Sequence, residues 1–268
     1  MSSIELLEQI REDGLTNSYA GELIEIVEVA DQIVGEATEY SQPIEAEVAE
    51  SLGLVEALLP NMSEQDAEFF NLWLWQEQGH ANTQLSILNR FGRLPQPTIH
   101  KVTPLVKAVS IVTGTSAGLH EAMEVGVLTY MALGELETKI YYTEQARKLM
   151  KQGERDLARV FGHQAYQEGL HLQYQRTEAQ ERYAKLRDWQ KHIVRTFIER
   201  QYRPVGVKRN NHQRMQGFGN LIITVSSDGG TKLASTVQAL ATELVKVSPT
   251  SNFVARRYKA CIDELREC

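Results

Sequence analysis

The sequence predicts an all-α protein whose centre is an antiparallel four-helix bundle. Apolar residues recur at helical spacing over four long segments, each about 40 to 50 Å in length as a helix. The connection "KQG" at 151–153 is short enough to make the helices on either side antiparallel neighbours. Two Glu-x-x-His pairs fall within such segments, Glu77 with His80 and Glu168 with His171.

The first two helices of the bundle are predicted from apolar periodicity and from one capping signal. The first runs over 18–52, where "LIEIVEVADQIVGEA" has helical spacing and Pro43 should introduce a bend. The second runs over about 63–91. Ser63 is the predicted N-cap because Asp66 follows it three positions later.

The remaining segments complete the bundle and extend beyond it. A short helical piece is predicted at 101–113, a third long helix at 119–150 and a fourth from Glu154 past Arg182. Further helices are predicted at 187–202, 230–247 and 251–266, with a basic, glycine-containing loop at 203–220. We expect residues 1–268 to form a single domain, with a bundle core at 16–185 and a helical extension at 186–268 packed on it.

Composition and charge exclude several classes of protein. A formal net charge of −7 argues against nucleic-acid binding, which needs clustered lysine and arginine. The longest apolar runs are too short to cross a bilayer. The acidic start "MSSIELLEQIREDG" is unlike a signal peptide, so we expect a cytoplasmic protein. Cys261 and Cys268 give neither a disulfide framework nor a Cys-x-x-Cys metal module.

The two Glu-x-x-His pairs need support from their context, because chance alone would place about 0.7 such pairs in this chain. Residues three apart on a helix share a face, so each pair directs a carboxylate and an imidazole to one point. The third helix supplies Glu135 within a mostly apolar stripe, where a carboxylate is costly unless it is paired or metal-bound. Glu137 points about 200° away on the helix, and we expect it to be solvated. The stripe comprises Leu128, Met131, Thr138 and Tyr142.

The first helix offers several glutamates for such a site. In an antiparallel hairpin the two ligands should lie about equally far from the turn, which favours Glu39 as the partner of Glu77. Periodicity alone leaves Glu36 and Glu45 as alternatives. Tyr141, Tyr142 and Tyr166 are expected to be core residues.

Four motifs resemble the soluble acyl-carrier-protein desaturases, a family within the ferritin-like di-iron carboxylate superfamily. "WLWQEQGH" is similar to the second metal-bearing helix of that family, where Trp-x-x-x-Glu-x-x-His recurs, and "EYSQP" is similar to its Glu-x-x-x-Pro. "GELETKIYYTEQAR" and "LARVFGHQAYQEGLH" resemble its third and fourth helices. The resemblance covers roughly residues 39–183, and the separations between the motifs agree with it.

The resemblance implies a site for two metal ions and an oxidative chemistry. Thr138 matches a threonine that acts in oxygen activation or proton delivery, and Trp73 matches a tryptophan near the second-helix ligands. Four carboxylates and two imidazoles suit Fe²⁺, with manganese as a possible substitute. The implied ligands are Glu39, Glu77, His80, Glu135, Glu168 and His171.

The chain also departs from the desaturase pattern. Gln76 and Gln167 stand where the family has acids immediately before the ligand glutamates, and Tyr142 replaces a histidine. Because the acid before the fourth-helix ligand belongs to an outer-shell path in that family, its loss can change electron delivery or the reaction outcome. Desaturation itself is therefore expected less firmly than the metal site.

The favoured function is an O₂-dependent non-haem di-iron oxidase that acts on the C–H bonds of an acyl chain or a related apolar substrate. The implied partners are an acyl carrier protein or a small apolar substrate, a ferredoxin-like electron donor and a second copy of the chain in a homodimer. One alternative at the same metal site is a hydroxylase or N-oxygenase of a small metabolite. The others are a ferritin-like iron-binding or ferroxidase protein and a metal-free helical scaffold.

Overall fold

The computed structural model describes residues 2–16, 62–90, 116–207, 212–226 and 228–266. These residues are helical, with no β-strand among them. The predicted first bundle helix and the piece at 101–113 lie outside the described residues. No helix within the described ranges combines the length and apolarity needed to cross a membrane. The helices are α1 (Ser3–Thr16), α2 (Glu64–Arg90), α3 (Ala117–Gln152), α4 (Arg155–Lys185), α5 (Asp188–Gln201), α6 (His212–Val225), α7 (Thr231–Val245) and α8 (Phe253–Arg266), with a 3₁₀ turn at Pro249–Ser251.

The chain divides into two compact units, Met1–Glu124 and Val125–Cys268. In the first unit, α1 packs against α2, with Leu6 and Ile10 fully buried. An ion pair joins Arg11 to Glu68 across the two helices. These contacts fix α2, which carries the first Glu-x-x-His pair.

The start of α2 agrees with the predicted N-cap. The Asp66 backbone N–H donates to Ser63 Oγ at 3.1 Å, and Ser63 Oγ donates in turn to Asp66 Oδ2 at 2.7 Å. This pair satisfies one of the backbone N–H groups that every helix start leaves without an intrahelical partner.

In the second unit, α3 and α4 form a hairpin around Gly153. Its φ of +90° lies in the left-handed region that glycine adopts without strain. The Gly153 and Glu154 N–H groups donate to the carbonyls of Met150 and Leu149 at 3.2 and 3.0 Å, which ends α3. The predicted tight turn and the antiparallel pair that it joins are confirmed.

The C-terminal helices pack on this hairpin and on one another. α7 contacts both α4 and α5, while α6 and α8 pack closely together. The prediction of a loop over 203–220 is wrong for its second half, because α6 begins at His212. α1 was not predicted from the sequence at all.

Candidate metal centre

The α3–α4 hairpin brings together two carboxylates and one imidazole in the second unit. His171 Nδ1 lies 3.6 Å from Glu135 Oε2 and 3.5 Å from Glu168 Oε2. The exposed fractions of Glu135, Glu168 and His171 are 6%, 1% and 0%. One ligand atom from each residue lies within 4.8 Å of those of the other two, so the three can hold a metal ion together.

The electrostatics of this cluster disfavour two ionised carboxylates in the absence of a cation. Burial raises the pKa of Glu135 well above its ordinary value, and the neighbouring Glu168 carboxylate raises it further, while His171 opposes both effects. Two buried carboxylates cannot both ionise at this distance without a counter-charge. A divalent cation would supply that charge, and the oxygen and imidazole donors suit iron or manganese. The donor set therefore fits the implied metal.

Gln175 is a residue of this site that the sequence analysis missed. Its Nε2 donates to Glu135 Oε1 at 3.2 Å, and the side chain is fully buried. It lies four positions after His171, on the same face of α4. The i+4 spacing was therefore the available signal, because residues that orient ligand carboxylates often come from the next helical turn.

The second Glu-x-x-His pair lies in α2, in the first unit. His80 Nδ1 is 3.6 Å from Glu77 Oε2, and both side chains are buried. Trp73, one turn earlier, is also buried and packs edge-on against Phe70, with 6.1 Å between the ring centroids. The two residues of each motif thus lie side by side, as their spacing predicts.

Of the remaining candidate residues, Thr138 lies within the described residues and Glu39 does not. Thr138 is half-buried, and its hydroxyl donates to the Gly134 carbonyl one turn earlier at 2.7 Å. Glu39 and its alternatives Glu36 and Glu45 lie outside the described residues.

Gln76 stands at one of the departures from the desaturase pattern and contacts α1. Its Nε2 lies 3.5 Å from both the Ile10 carbonyl and Asp13 Oδ2. The other such glutamine, Gln167, is also buried.

Glu137 contradicts the prediction that it is solvated. Its carboxylate is buried and accepts hydrogen bonds from the hydroxyls of Tyr202 and Tyr258 and from the Val205 backbone N–H. Burial raises the pKa of Glu137 to about 7, although these three donors oppose the rise. The helical projection gave its direction correctly, but the C-terminal segments cover that side of α3.

Of the three tyrosines expected in the core, two are buried and one is exposed. Tyr141 and Tyr142 are buried, with 5.1 Å between their ring centroids. Tyr166 is 51% exposed, so its assignment to the core is wrong.

Comparison with known proteins gives one structural similarity. No family model and no curated protein sequence matches the chain. A solved structure of an R2-like ligand-binding oxidase variant with a reconstituted Mn/Fe cofactor aligns with a TM-score of 0.53 at 14% sequence identity. The alignment covers 99% of this chain and 94% of the oxidase. The likeness confirms the predicted fold class, an all-α fold of the ferritin-like type.

Proposed function

We propose that the chain is an O₂-dependent non-haem oxidase with two metal ions, which oxidises a C–H bond of an acyl chain or a related apolar substrate. The observation that carries the proposal is the buried group formed by Glu135, Glu168 and His171, whose ligand atoms lie close enough together to hold one metal ion. The fold shared with an oxidase that has a Mn/Fe cofactor supports it.

The proposed ligand set extends beyond these three residues to Glu39, Glu77 and His80. Support for Glu77 and His80 comes from their burial, their 3.6 Å separation and the repeated Glu-x-x-His motif. Glu39 rests on its predicted position, as far from the hairpin turn as Glu77, and on the resemblance to the desaturases. Four carboxylates would balance the charge of two divalent ions, which would explain how Glu77, Glu135 and Glu168 can be buried.

Two reduced ions held by these residues, iron alone or manganese with iron, would supply the activation of O₂ that the removal of hydrogen from an unactivated C–H bond requires. The chain itself holds the ligands in a buried environment and orients them. Gln175 orients Glu135 through its hydrogen bond. We assign proton delivery to Thr138, which lies one turn after Glu135. Its half-buried hydroxyl donates to the Gly134 carbonyl and could instead donate to a group bound at the metal site.

The finer features of the proposal concern the reaction and the partners. The buried amides Gln76 and Gln167, where desaturases have acids, favour hydroxylation or N-oxygenation as a second candidate at the same site. The proposed partners are an acyl carrier protein or a small apolar substrate, a ferredoxin-like electron donor and a second copy of the chain, in the cytoplasm.

The first test is the metal content of the purified protein, measured by plasma mass spectrometry. The wild type should hold about two iron or manganese ions per chain, as a two-metal site requires. Glu135→Ala and Glu168→Ala should lose them. Glu178→Ala is the matched control, because Glu178 is a largely buried carboxylate on α4 that pairs instead with Arg182 at 2.8 Å.

A wild type that stays metal-free after anaerobic addition of Fe²⁺ would refute the oxidase and leave a helical binding protein. For the loaded protein, O₂ uptake with fatty acids or acyl-carrier thioesters would be followed by mass spectrometry of the product. Loss of two hydrogens would indicate desaturation, and gain of one oxygen would indicate hydroxylation. Accumulation of iron far beyond the two-metal content would indicate storage instead.

A further inference from the structure

An open cleft of about 410 Å³ lies in the second unit, where the end of α4, the first half of α5 and the end of α7 meet. Its volume is within the range of small-molecule sites. Tyr183 lies 12 residues after His171 on α4, so the cleft is about 18 Å along the helix from the metal-binding group. It is therefore a separate feature from the proposed oxidation site.

The cleft is lined by three cations, Lys191, Arg195 and Lys246. Within the part of the chain that the structure describes, none of the three forms an ion pair with a carboxylate. Lys246 Nζ donates to the Glu243 carbonyl at 2.9 Å, and Lys191 Nζ lies 5.8 Å from the centre of the Tyr183 ring.

The acid that lines the cleft is already neutralised from outside it. Glu243 Oε1 accepts from Arg176 Nε and from Gln180 Nε2, both at 2.6 Å. The charge of Glu243 is thus balanced by Arg176, which leaves the lining with a surplus of positive charge. The partial negative charges at the ends of α4 and α7 are smaller than the three full charges.

Tyr183 gives a second, independent indication of a ligand. The side chain is 5% exposed, and its hydroxyl is buried. Burial raises the pKa of Tyr183, and the positive charge of nearby Arg195, together with a hydrogen bond from its guanidinium, opposes that rise. Because a guanidinium donates and cannot accept, the O–H proton of Tyr183 has no acceptor among the described residues, and a bound anion would supply one.

We propose that this cleft binds a small organic anion, with a carboxylate or phosphate held by Arg195, Lys191 and the Tyr183 hydroxyl. The guanidinium of Arg195 presents paired donors that match either anion. The Tyr183 ring and the side chains of Ala184 and Leu244 offer apolar surface to the body of the ligand. The shared chemistry is one anionic group on a body the size of an aromatic ring.

The test uses phenyl phosphate and benzoate as probes, with benzyl alcohol as the neutral counterpart, measured by calorimetry on the full-length protein. At least one anion should bind in the millimolar range and more weakly as salt is raised, whereas the alcohol should not bind. Stronger binding of phenyl phosphate would identify a phosphate ligand, and stronger binding of benzoate would identify a carboxylate.

Two variants and one control make the test specific. Arg195→Gln should weaken binding by about tenfold, since it removes a charged donor pair. Ala184→Trp should block the cleft without changing its charge. Lys232→Gln, an exposed cation near the other end of α7, should bind as the wild type does. Circular dichroism shows whether the variants are folded. Failure of both anions to bind the wild type would overturn the proposal, and so would wild-type affinity in folded Arg195→Gln and Ala184→Trp.

Discussion

Glu135 and Glu137 stand two residues apart on α3, yet their carboxylates have different partners. Glu135 meets Glu168, His171 and the amide of Gln175, whereas Glu137 is enclosed by hydrogen-bond donors from C-terminal segments. A rotation of about 200° between them places them on nearly opposite sides of the helix. One short segment therefore serves a metal-binding group on one side and the packing of the C-terminal helices on the other.

Replacing Gln175 should test the orientation of Glu135. Gln175→Leu removes the donor to Glu135 Oε1 and should weaken metal binding by about 10- to 100-fold, the usual range for partners of metal ligands. The measurement is a Mn²⁺ titration followed by electron paramagnetic resonance. Gln164→Leu is the matched control, because Gln164 is a buried glutamine on the same helix whose amide makes no hydrogen bond with any described residue. Equal affinities in the two variants would contradict the assigned role.

Replacing Tyr258 should test the burial of Glu137. Tyr258→Phe removes a hydroxyl that donates to Glu137 Oε1 at 2.5 Å and should lower the free energy of unfolding by about 1 to 3 kcal/mol. Urea denaturation measures the change. Tyr166→Phe changes an exposed hydroxyl on α4 and should leave stability within about 0.5 kcal/mol of the wild type. A Tyr258→Phe protein as stable as Tyr166→Phe would show that Glu137 does not depend on this donor.

The outcome for Glu137 shows what residue patterns can and cannot predict. Its direction away from Glu135 followed from helical geometry alone. Its burial could not be predicted in this way, because its hydrogen-bond donors lie 65 to 121 residues later in the chain. They are Tyr202, Val205 and Tyr258. Contacts at such separations leave no periodic signal around Glu137.

At the scale of helices, most of the described elements were predictable and two were not. The described helices that agree with the predicted segments to within about two residues, the usual uncertainty of helix ends, are α2, α3, α4, α5, α7 and α8. The sequence did contain a signal for α1, the Ser-x-x-Glu spacing of Ser2 and Glu5. In the structure these residues form a capping box, in which Glu5 Oε2 accepts from the Ser2 N–H at 2.7 Å.

The error at α6 has a different cause, which lies in the role of its glycines. Glycine disfavours helix, so the basic, glycine-containing stretch was predicted to be a loop. In the structure, a Cβ added at Gly219 would lie 2.7 Å from the Cys261 carbonyl oxygen of α8. This glycine permits the close packing of two helices, and sequence patterns do not distinguish that role from a turn.

Adding one methyl group should separate these two roles of glycine. Gly219→Ala should lower the free energy of unfolding by about 1 to 3 kcal/mol, because the backbone of α8 would have to move. Gly162→Ala on α4 is the control. Among the described residues, its added Cβ would meet only the Ala146 Cβ at 4.0 Å, and the substitution should stabilise the helix by about 0.5 to 1 kcal/mol. Thermal unfolding followed by circular dichroism compares the two, and a neutral Gly219→Ala would exclude the close contact.

For the whole molecule, we expect stability to depend on the metal. A cation that binds only the folded chain at about 100 times its dissociation constant adds about 2.7 kcal/mol. For a protein of this size that corresponds to a rise in Tm of roughly 5 to 10 °C. Anaerobic Fe²⁺ or Mn²⁺ should raise the Tm of the wild type and a chelator should reverse the change.

Glu168→Ala and Glu178→Ala provide the comparison for this effect. The first lacks a proposed ligand and should show no rise in Tm with metal, while the second should respond as the wild type does. An equal response in both would mean that the cation stabilises the protein elsewhere. The metal dependence is a property of the folded chain, so it tests the site even before a substrate is known.

The tight turn at Gly153 has a consequence for the order in which the protein can fold. Because the connection is short, Glu135 and Glu168 are only 33 residues apart in sequence. The chain entropy lost when they come together is therefore modest. Helical hairpins with such local contacts form quickly compared with structures that rely on distant pairing. During folding, the two carboxylates can therefore meet before the contacts with Tyr258 form, and an early metal ion would favour the hairpin from that moment on.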